Sequence, residues 1–166
     1  MEALSAQAVA AITKSCAEHL RRHGYRLVVA ESCTGGWLAK ILTDLAGSSD
    51  WFDRGFVTYS NQAKQAMLGV SSSTLQQFGA VSEACVLEMA QGALRESGAE
   101  VAVAISGVAG PGGGSVEKPV GSVYFAWQIK GDEGITDRQS FPGDRNQVRW
   151  QAVVHALQEL ERLLSE

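Results

Sequence analysis

The chain has 166 residues, a formal charge of −4 at pH 7 and 45% hydrophobic residues. Its length fits one domain spanning residues 1–166, its apolar content excludes a disordered chain, and its acidic balance disfavours direct binding of nucleic acid. The apolar stretches are shorter than the ~20 residues that cross a bilayer, and the first residues lack the pattern of a secretory signal. We therefore expect a cytoplasmic protein without a nucleic-acid or membrane partner.

Helical and strand patterns alternate along the first half of the chain. Apolar residues at helical spacing indicate amphipathic helices, whereas short continuous apolar runs indicate buried strands. The predicted elements are a helix at 4–23 that ends at Gly24, a strand at 26–30, a helix with apolar residues from Leu38 to Leu45 that ends at Gly47, a strand at 55–60, a helix at 61–68 and a longer helix that Ser82 caps.

The second half begins with an apolar strand at 101–105 that runs into the glycine-rich segment Ser106–Gly114, which is too glycine-rich to be a helix interior. A hairpin is predicted from 120–129 and 135–141, and a last helix begins at Asp144, three residues before a glutamine at the capping-box position. This alternation predicts a three-layer α/β/α sandwich with a mixed, mostly parallel sheet.

Three polar segments follow predicted strands, at the ends where ligands bind in α/β sheets. They are Glu31–Gly36, Thr58–Lys64 and the glycine-rich segment. Ser32 is a plausible nucleophile at a strand-to-helix turn, although Ser32 or Thr34 could instead cap the following helix. The neighbouring Cys33 is a rival nucleophile or a buried thiol. These residues predict a small-molecule site.

A serine hydroxyl needs a base, and the candidate loops contain no histidine. Lys64 could act as a neutral amine if burial lowers its pKa, although a lone lysine is usually a solvated surface residue. Tyr59 could relay the proton or simply pack in a strand. Ser115 and Lys118 match the Ser-x-x-Lys motif of penicillin-recognising enzymes. Lys118 precedes proline and follows glycines, so we do not expect the two side chains to share one face of a helix.

Metal and cofactor sites are not expected. The cysteines and histidines are scattered without the spacing of a zinc site, and the glycine-rich segment matches neither a Walker A motif nor a complete dinucleotide fingerprint. Its amides could still bind an anion.

Several ordered motifs together resemble the CinA carboxy-terminal family over nearly the whole chain. The family segment often begins with Thr where this chain has Ser106, which keeps the hydroxyl, and larger members carry an additional N-terminal domain. The matching segments are Ala30–Gly36, Gly55–Lys64, Gly79–Ser82, Ser106–Gly112, Lys118–Gly121 and Phe141–Arg145.

The resemblance implies hydrolysis of the carboxamide of nicotinamide mononucleotide to the acid and ammonia, which returns a pyridine nucleotide to NAD synthesis. It implies Ser32 as nucleophile, Lys64 as general base and Tyr59 as an aid to proton movement. Backbone N–H groups near Thr34 to Gly36, at the helix start, would hold the oxyanion. The expected substrate-binding residues are Thr34, Gly35, Gly36, Ser106, Gly107, Gly110, Gly112 and Arg145, of which Arg145 suits a phosphate but could also be a surface arginine.

Two other classes of function stay open at this point. One is a nucleotide-binding module without catalysis, and the other is an accessory of DNA uptake or recombination, suggested only by the family name. The first would keep the glycine loop and Arg145 but would not depend on Ser32 or Lys64. The second should show basic surface or partner-binding patches. We also expect a homo-oligomer and take a dimer as the first guess.

Overall fold

A five-stranded sheet forms the centre of the molecule in the computed structural model, which describes residues 4–166. Residues 1–3, the start of the stretch in which no secretory signal is expected, lie outside the described residues. The strand order is β2-β1-β3-β4-β5, and β4 alone runs against the other four. The strands are β1 (Leu27–Glu31), β2 (Phe52–Val57), β3 (Val101–Gly107), β4 (Ser122–Ile129) and β5 (Ile135–Ser140).

Helices cover both faces of this sheet, which confirms the predicted three-layer sandwich. The helices are α1 (Ala6–His23), α2 (Trp37–Asp44), α3 (Asn61–Leu68), α4 (Ser72–Phe78), α5 (Glu83–Arg95) and α6 (Arg145–Ser165). The first two and α6 pack on one face, and α3, α4 and α5 pack on the other. Within residues 4–166, no helix is both long and apolar enough to cross a membrane.

The two faces of the sheet differ in side-chain size. Large residues such as Val29, Val103 and Phe125 point toward α1 and α6, whereas alanines such as Ala30 and Ala104 point toward α5. Because successive side chains of a strand point to opposite faces, this alternation assigns each residue to its core. The small side chains let α5 pack close to β1 and β3.

Several predicted boundaries are confirmed. The helix α3 spans 61–68 as predicted, and Gly24 ends α1 in the left-handed conformation. The N-cap at Ser82 is also present, with its Oγ accepting from the Cys85 N–H at 3.1 Å. Asp144 and Gln147 form the predicted capping box of α6.

Other predictions need correction. The second strand lies at 52–57 rather than 55–60, because it is a half-exposed edge strand without a continuous apolar run, and its pairing with β1 sets its register. The helix α4 was not predicted, since its sequence SSTLQQF lacks an apolar stripe. The second helix ends at Asp44, before Gly47, and β3 continues through Ser106 and Gly107, so the glycine loop spans 108–121.

Candidate active site

Ser32 follows β1 directly and begins a tight turn into α2. Its N–H donates to the carbonyl of Ile105 on β3 at 3.0 Å, and this hydrogen bond fixes the start of the turn to the sheet. Gly35 and Gly36 then adopt positive φ angles of 59° and 96°, a conformation that glycine tolerates best. The Ser32 side chain is 8% exposed. The turn thus presents a hydroxyl at the edge of the sheet, close to the surface.

Glu31, rather than Ser32 or Thr34, caps α2. Its buried carboxylate accepts from the N–H groups of Leu38 and Ala39 at 2.9 and 3.0 Å, and from the Thr34 hydroxyl at 2.6 Å. A carboxylate at a helix N-terminus satisfies free amide groups and complements the helix dipole. The capping alternative for Ser32 is therefore wrong, and its hydroxyl is available for another partner.

That partner is Lys64. Its Nζ lies 3.0 Å from Ser32 Oγ, 2.7 Å from the Thr58 carbonyl oxygen and 3.5 Å from the Tyr59 carbonyl oxygen. A neutral amine has two N–H groups for the two carbonyls and keeps one lone pair, which can accept the Ser32 proton. The geometry fits a serine and its base.

Burial lowers the pKa of Lys64 from its ordinary value, because the side chain is 1% exposed and the charged form loses hydration. The prediction of a solvated surface lysine is therefore wrong. Its position depends on α3, which Ser60 caps by accepting from the Ala63 N–H at 3.0 Å. The N–H of Thr58 donates to the Glu31 carbonyl at 2.9 Å, which ties the start of this segment to the end of β1.

Cys33 is poorly suited to be the nucleophile. It is 5% exposed, and burial raises the pKa of its thiol to about 11. The thiolate is the reactive form of cysteine, so little of it would be present near neutral pH. Ser32 is the better candidate of the two.

Arg145 connects the glycine loop with Tyr59 at the mouth of the site. Its guanidinium donates to the Gly110 carbonyl at 2.7 Å and to the Tyr59 hydroxyl at 3.0 Å. Tyr59 is 59% exposed, and it is its main-chain carbonyl that reaches Lys64. The predicted residues Tyr59, Gly110 and Arg145 thus lie together, with the Tyr59 hydroxyl bonded to an arginine.

Ser106 and the loop glycines have different surroundings. The Ser106 hydroxyl donates to the Ala80 carbonyl at 2.8 Å, which joins β3 to the segment between α4 and α5. A Cβ on Gly107 would lie 2.8 Å from the Ser122 carbonyl oxygen, so this position has no room for a side chain, whereas Gly112 is open. Lys118 donates to the Phe78 carbonyl at 2.8 Å and lies in a loop, so the predicted absence of a shared Ser-x-x-Lys helix face is confirmed.

Free amide groups lie in the turn after Ser32. Within residues 4–166, the N–H groups of Cys33, Thr34 and Gly36 donate to no other residue, whereas the Gly35 N–H already donates to the Ser32 carbonyl at 3.0 Å. Donors that point into a site beside a nucleophile can stabilise the oxyanion of an acyl-transfer intermediate. Cys33 was not among the predicted donors.

Sequence reasoning missed two residues that support this turn. One is Glu31, which the sequence could have indicated as a helix cap because its carboxylate comes just before a predicted helix. The other is Arg149 of α6, whose Nε and Nη2 donate to the carbonyls of Cys33 and Thr34 at 3.0 and 3.3 Å. No local sequence pattern indicates this second contact. In the part of the chain that the structure describes, no three His, Cys, Asp or Glu side chains converge to hold a metal ion.

Comparison with known proteins assigns the family. The CinA C-terminal domain matches residues 9–164, almost the whole chain. The chain belongs to this family. Its match confirms the resemblance seen in the sequence motifs.

Relatives and solved structures agree with this assignment. Nicotinamide-nucleotide amidohydrolase PncC of Escherichia coli K12 is 57% identical over 149 residues, covering 90% of each chain. The protein of that name from Enterobacter agglomerans is 60% identical over 139 residues, covering 84% of this chain and 85% of its own. The crystal structure of the competence/damage inducible protein CihA from Agrobacterium tumefaciens has a TM-score of 0.92 and 41% identity, covering 100% of this chain and 99% of its own.

Proposed function

We propose that this chain is an amidohydrolase that converts nicotinamide mononucleotide and water to nicotinate mononucleotide and ammonia, a step of NAD recycling. Relatives named nicotinamide-nucleotide amidohydrolase, at 57% and 60% identity, support the substrate. The observation that carries the mechanism is the 3.0 Å contact between Lys64 Nζ and Ser32 Oγ.

In the first half of the reaction, Ser32 Oγ attacks the carboxamide carbon while its proton moves to the Lys64 amine. The resulting oxyanion is stabilised by the N–H groups of Cys33 and Thr34. When the C–N bond breaks, the Lys64 ammonium returns the proton to the leaving nitrogen, and ammonia departs. Ser32 then carries the nicotinoyl group as an ester.

In the second half, water takes the position that ammonia has left. Lys64 accepts a proton from this water, whose oxygen attacks the ester carbon, and the same two N–H groups stabilise the second oxyanion. Collapse of this intermediate breaks the bond to Ser32 Oγ, which recovers its proton from Lys64. The products are the free acid and the starting enzyme, and no redox partner or cofactor is consumed.

The remainder of the nucleotide binds to the groups around the mouth of the site. Arg145 offers a planar guanidinium for the phosphate, and the glycine loop offers backbone amides. Gly112 has open space beside it, which allows close approach of the ribose or phosphate to the backbone. The space beside Gly35, Gly107 and Gly110 is instead filled by Arg149, Ser122 and Val120. Ser106 is buried with its hydroxyl bonded to the Ala80 carbonyl, so these four residues are weaker candidates for direct contact with the nucleotide. The hydrogen bond between the Tyr59 hydroxyl and Arg145 joins this region to the Lys64 turn, and Tyr59 remains our candidate for assisting proton movement.

The decisive experiment measures ammonia release from nicotinamide mononucleotide by the wild type and Ser32→Ala. We expect the variant to lose activity by at least about a thousandfold, yet to bind nicotinate mononucleotide as the wild type does. Ser97→Ala, two residues after the end of α5, is the matched control. Mass spectrometry of quenched wild-type reactions should find the acyl group on Ser32.

Two outcomes would contradict the proposal. Near wild-type turnover of Ser32→Ala would transfer the chemistry to Cys33 or to a directly activated water. Tight binding of the nucleotide without any turnover by the wild type would favour the alternative of a non-catalytic binding module.

A further inference from the structure

Arg149 makes a bidentate contact with the backbone of the turn that carries Ser32. It lies in the second turn of α6, and its Nε and Nη2 donate to the carbonyls of Cys33 and Thr34 at 3.0 and 3.3 Å. These are the two residues that follow Ser32. Guanidinium groups donate from a planar fork, so this contact restrains the orientation as well as the position of the turn.

The orientation of a carbonyl fixes the orientation of the N–H in the same peptide unit. Because the peptide is planar and trans, its C=O and N–H point in opposite directions. The Cys33 carbonyl shares its peptide unit with the Thr34 N–H, which is one of the free donors of this turn. The Thr34 carbonyl shares its unit with the Gly35 N–H, which closes the turn onto the Ser32 carbonyl. Arg149 therefore orients the free N–H of Thr34 and also the Gly35 N–H, which closes the turn.

Other contacts hold the guanidinium in place. It lies 5.4 Å above the ring centre of Trp37, the first residue of α2, in a cation–π arrangement. A Cβ on Gly35 would lie 3.4 Å from Arg149 Nη2, so the guanidinium fills the space beside this glycine. Arg145, one helical turn earlier, donates to the glycine loop. The start of α6 thus holds both loops that surround Ser32.

We propose that Arg149 is a positioning residue for the oxyanion site, acting through the Cys33–Thr34 peptide unit. Its positive charge polarises this unit, which makes the Thr34 N–H a stronger donor on the opposite side. This inference rests on the proposed function, in which Ser32 is the nucleophile. An interaction of this kind stabilises the transition state more than the bound substrate, because charge on the oxygen develops only during attack.

The test compares Arg149→Met and Arg149→Lys with the wild type. We expect Arg149→Met to lower kcat by roughly tenfold to a hundredfold while KM changes less than about threefold. Arg149→Lys keeps the charge without the fork and should recover part of kcat. The matched control is Arg54→Met, which removes another arginine bonded to a main-chain carbonyl, that of Glu96 at 3.0 Å. It should leave kcat unchanged.

A second readout does not depend on the substrate. Intact-mass measurements follow the rate at which a sulfonyl fluoride modifies Ser32, and Arg149→Met should slow it by about tenfold. Equal labelling rates in folded wild type and Arg149→Met would overturn the inference, as would equal kcat values. If the wild type is labelled at Ser32 but does not hydrolyse nicotinamide mononucleotide, the proposed function fails, while slower labelling of Arg149→Met still supports the role of Arg149.

Discussion

At the scale of single residues, the arrangement around Lys64 supports the proposed role of this lysine as a base. Burial disfavours the ammonium form, and the two carbonyls that accept from Nζ leave its lone pair toward Ser32. A carboxylate beside Nζ would raise the pKa again. The Glu31 carboxylate instead accepts from α2 and Thr34.

The first prediction concerns pH. If the neutral amine of Lys64 is the active form, kcat/KM should fall as pH decreases through the pKa of Lys64, which burial holds below the ordinary lysine value of 10.5. Lys64→Arg should lose activity by about a hundredfold or more, because arginine stays protonated. Lys40→Arg, the same change at an exposed lysine of α2, is the control. Substantial activity of Lys64→Arg would contradict the role of general base.

The second prediction concerns the phosphate. If Arg145 binds it, Arg145→Ala should reduce the preference for the mononucleotide over the riboside by about ten- to a hundredfold, as expected for a charge-assisted contact of about 1.5–3 kcal/mol. The measurement is kcat/KM for both substrates. Arg162→Ala, at the exposed end of α6, should change neither value. An unchanged preference in Arg145→Ala would leave the loop amides as the phosphate site.

The sequence indicated the Ser32 and Lys64 pair because each follows a strand, in a segment where α/β folds bind ligands. It could not indicate Arg149, which contacts Cys33 across 116 positions of the chain. The hydrogen bond between Arg145 and Tyr59 spans 86 positions in the same way. Such contacts depend on how α6 packs on the sheet, and no local pattern of residue types predicts that packing.

At the scale of secondary-structure elements, the contact between α3 and α5 fixes Lys64 relative to Ser32. Gly92 of α5 lies against the carbonyl of Leu68, the last residue of α3, and a Cβ there would collide with that backbone. Arg95 donates to the same carbonyl at 2.9 Å. The helix that carries Lys64 is therefore held in close contact at its C-terminal end.

The third prediction follows from this contact. Alanine in a helix is favoured over glycine by about 1 kcal/mol, yet we expect Gly92→Ala to destabilise the protein by about 1–3 kcal/mol, because the collision with backbone outweighs propensity. Displacement of α3 by about 1 Å should lower kcat by roughly a hundredfold. Urea unfolding and steady-state kinetics measure the two effects.

Gly98→Ala is the matched control, since nothing lies within 4 Å of an added Cβ there. Its stability and kcat should stay near those of the wild type. Wild-type activity in Gly92→Ala would show that α3 can shift without moving Lys64 from Ser32.

At the scale of the whole molecule, the site draws on almost the full length of the chain. It combines the turn after β1, the start of α3, the loop after β3 and the first turns of α6. All of them lie at the carboxyl ends of the parallel strands. The order of these elements was largely predictable from alternating patterns. The edge strand β2 and the polar helix α4 were not, because neither has the apolar pattern on which such predictions depend. The single-domain span, the homodimer and the cytoplasmic location remain predictions.

The burial of all three cysteines makes the protein suitable for selective chemical labelling. Burial raises the pKa of Cys33 and Cys85 to about 11 and that of Cys16 to about 12. We therefore expect a disulfide reagent to modify none of them within minutes in the native protein, and all three after denaturation in urea. Rapid reaction of native wild type would contradict this.

Val116, in the glycine loop, is 100% exposed. Val116→Cys would accordingly place one reactive thiol on a protein whose three native thiols are unreactive. A fluorophore attached there would report, in real time, how the loop responds when nucleotide arrives and product leaves.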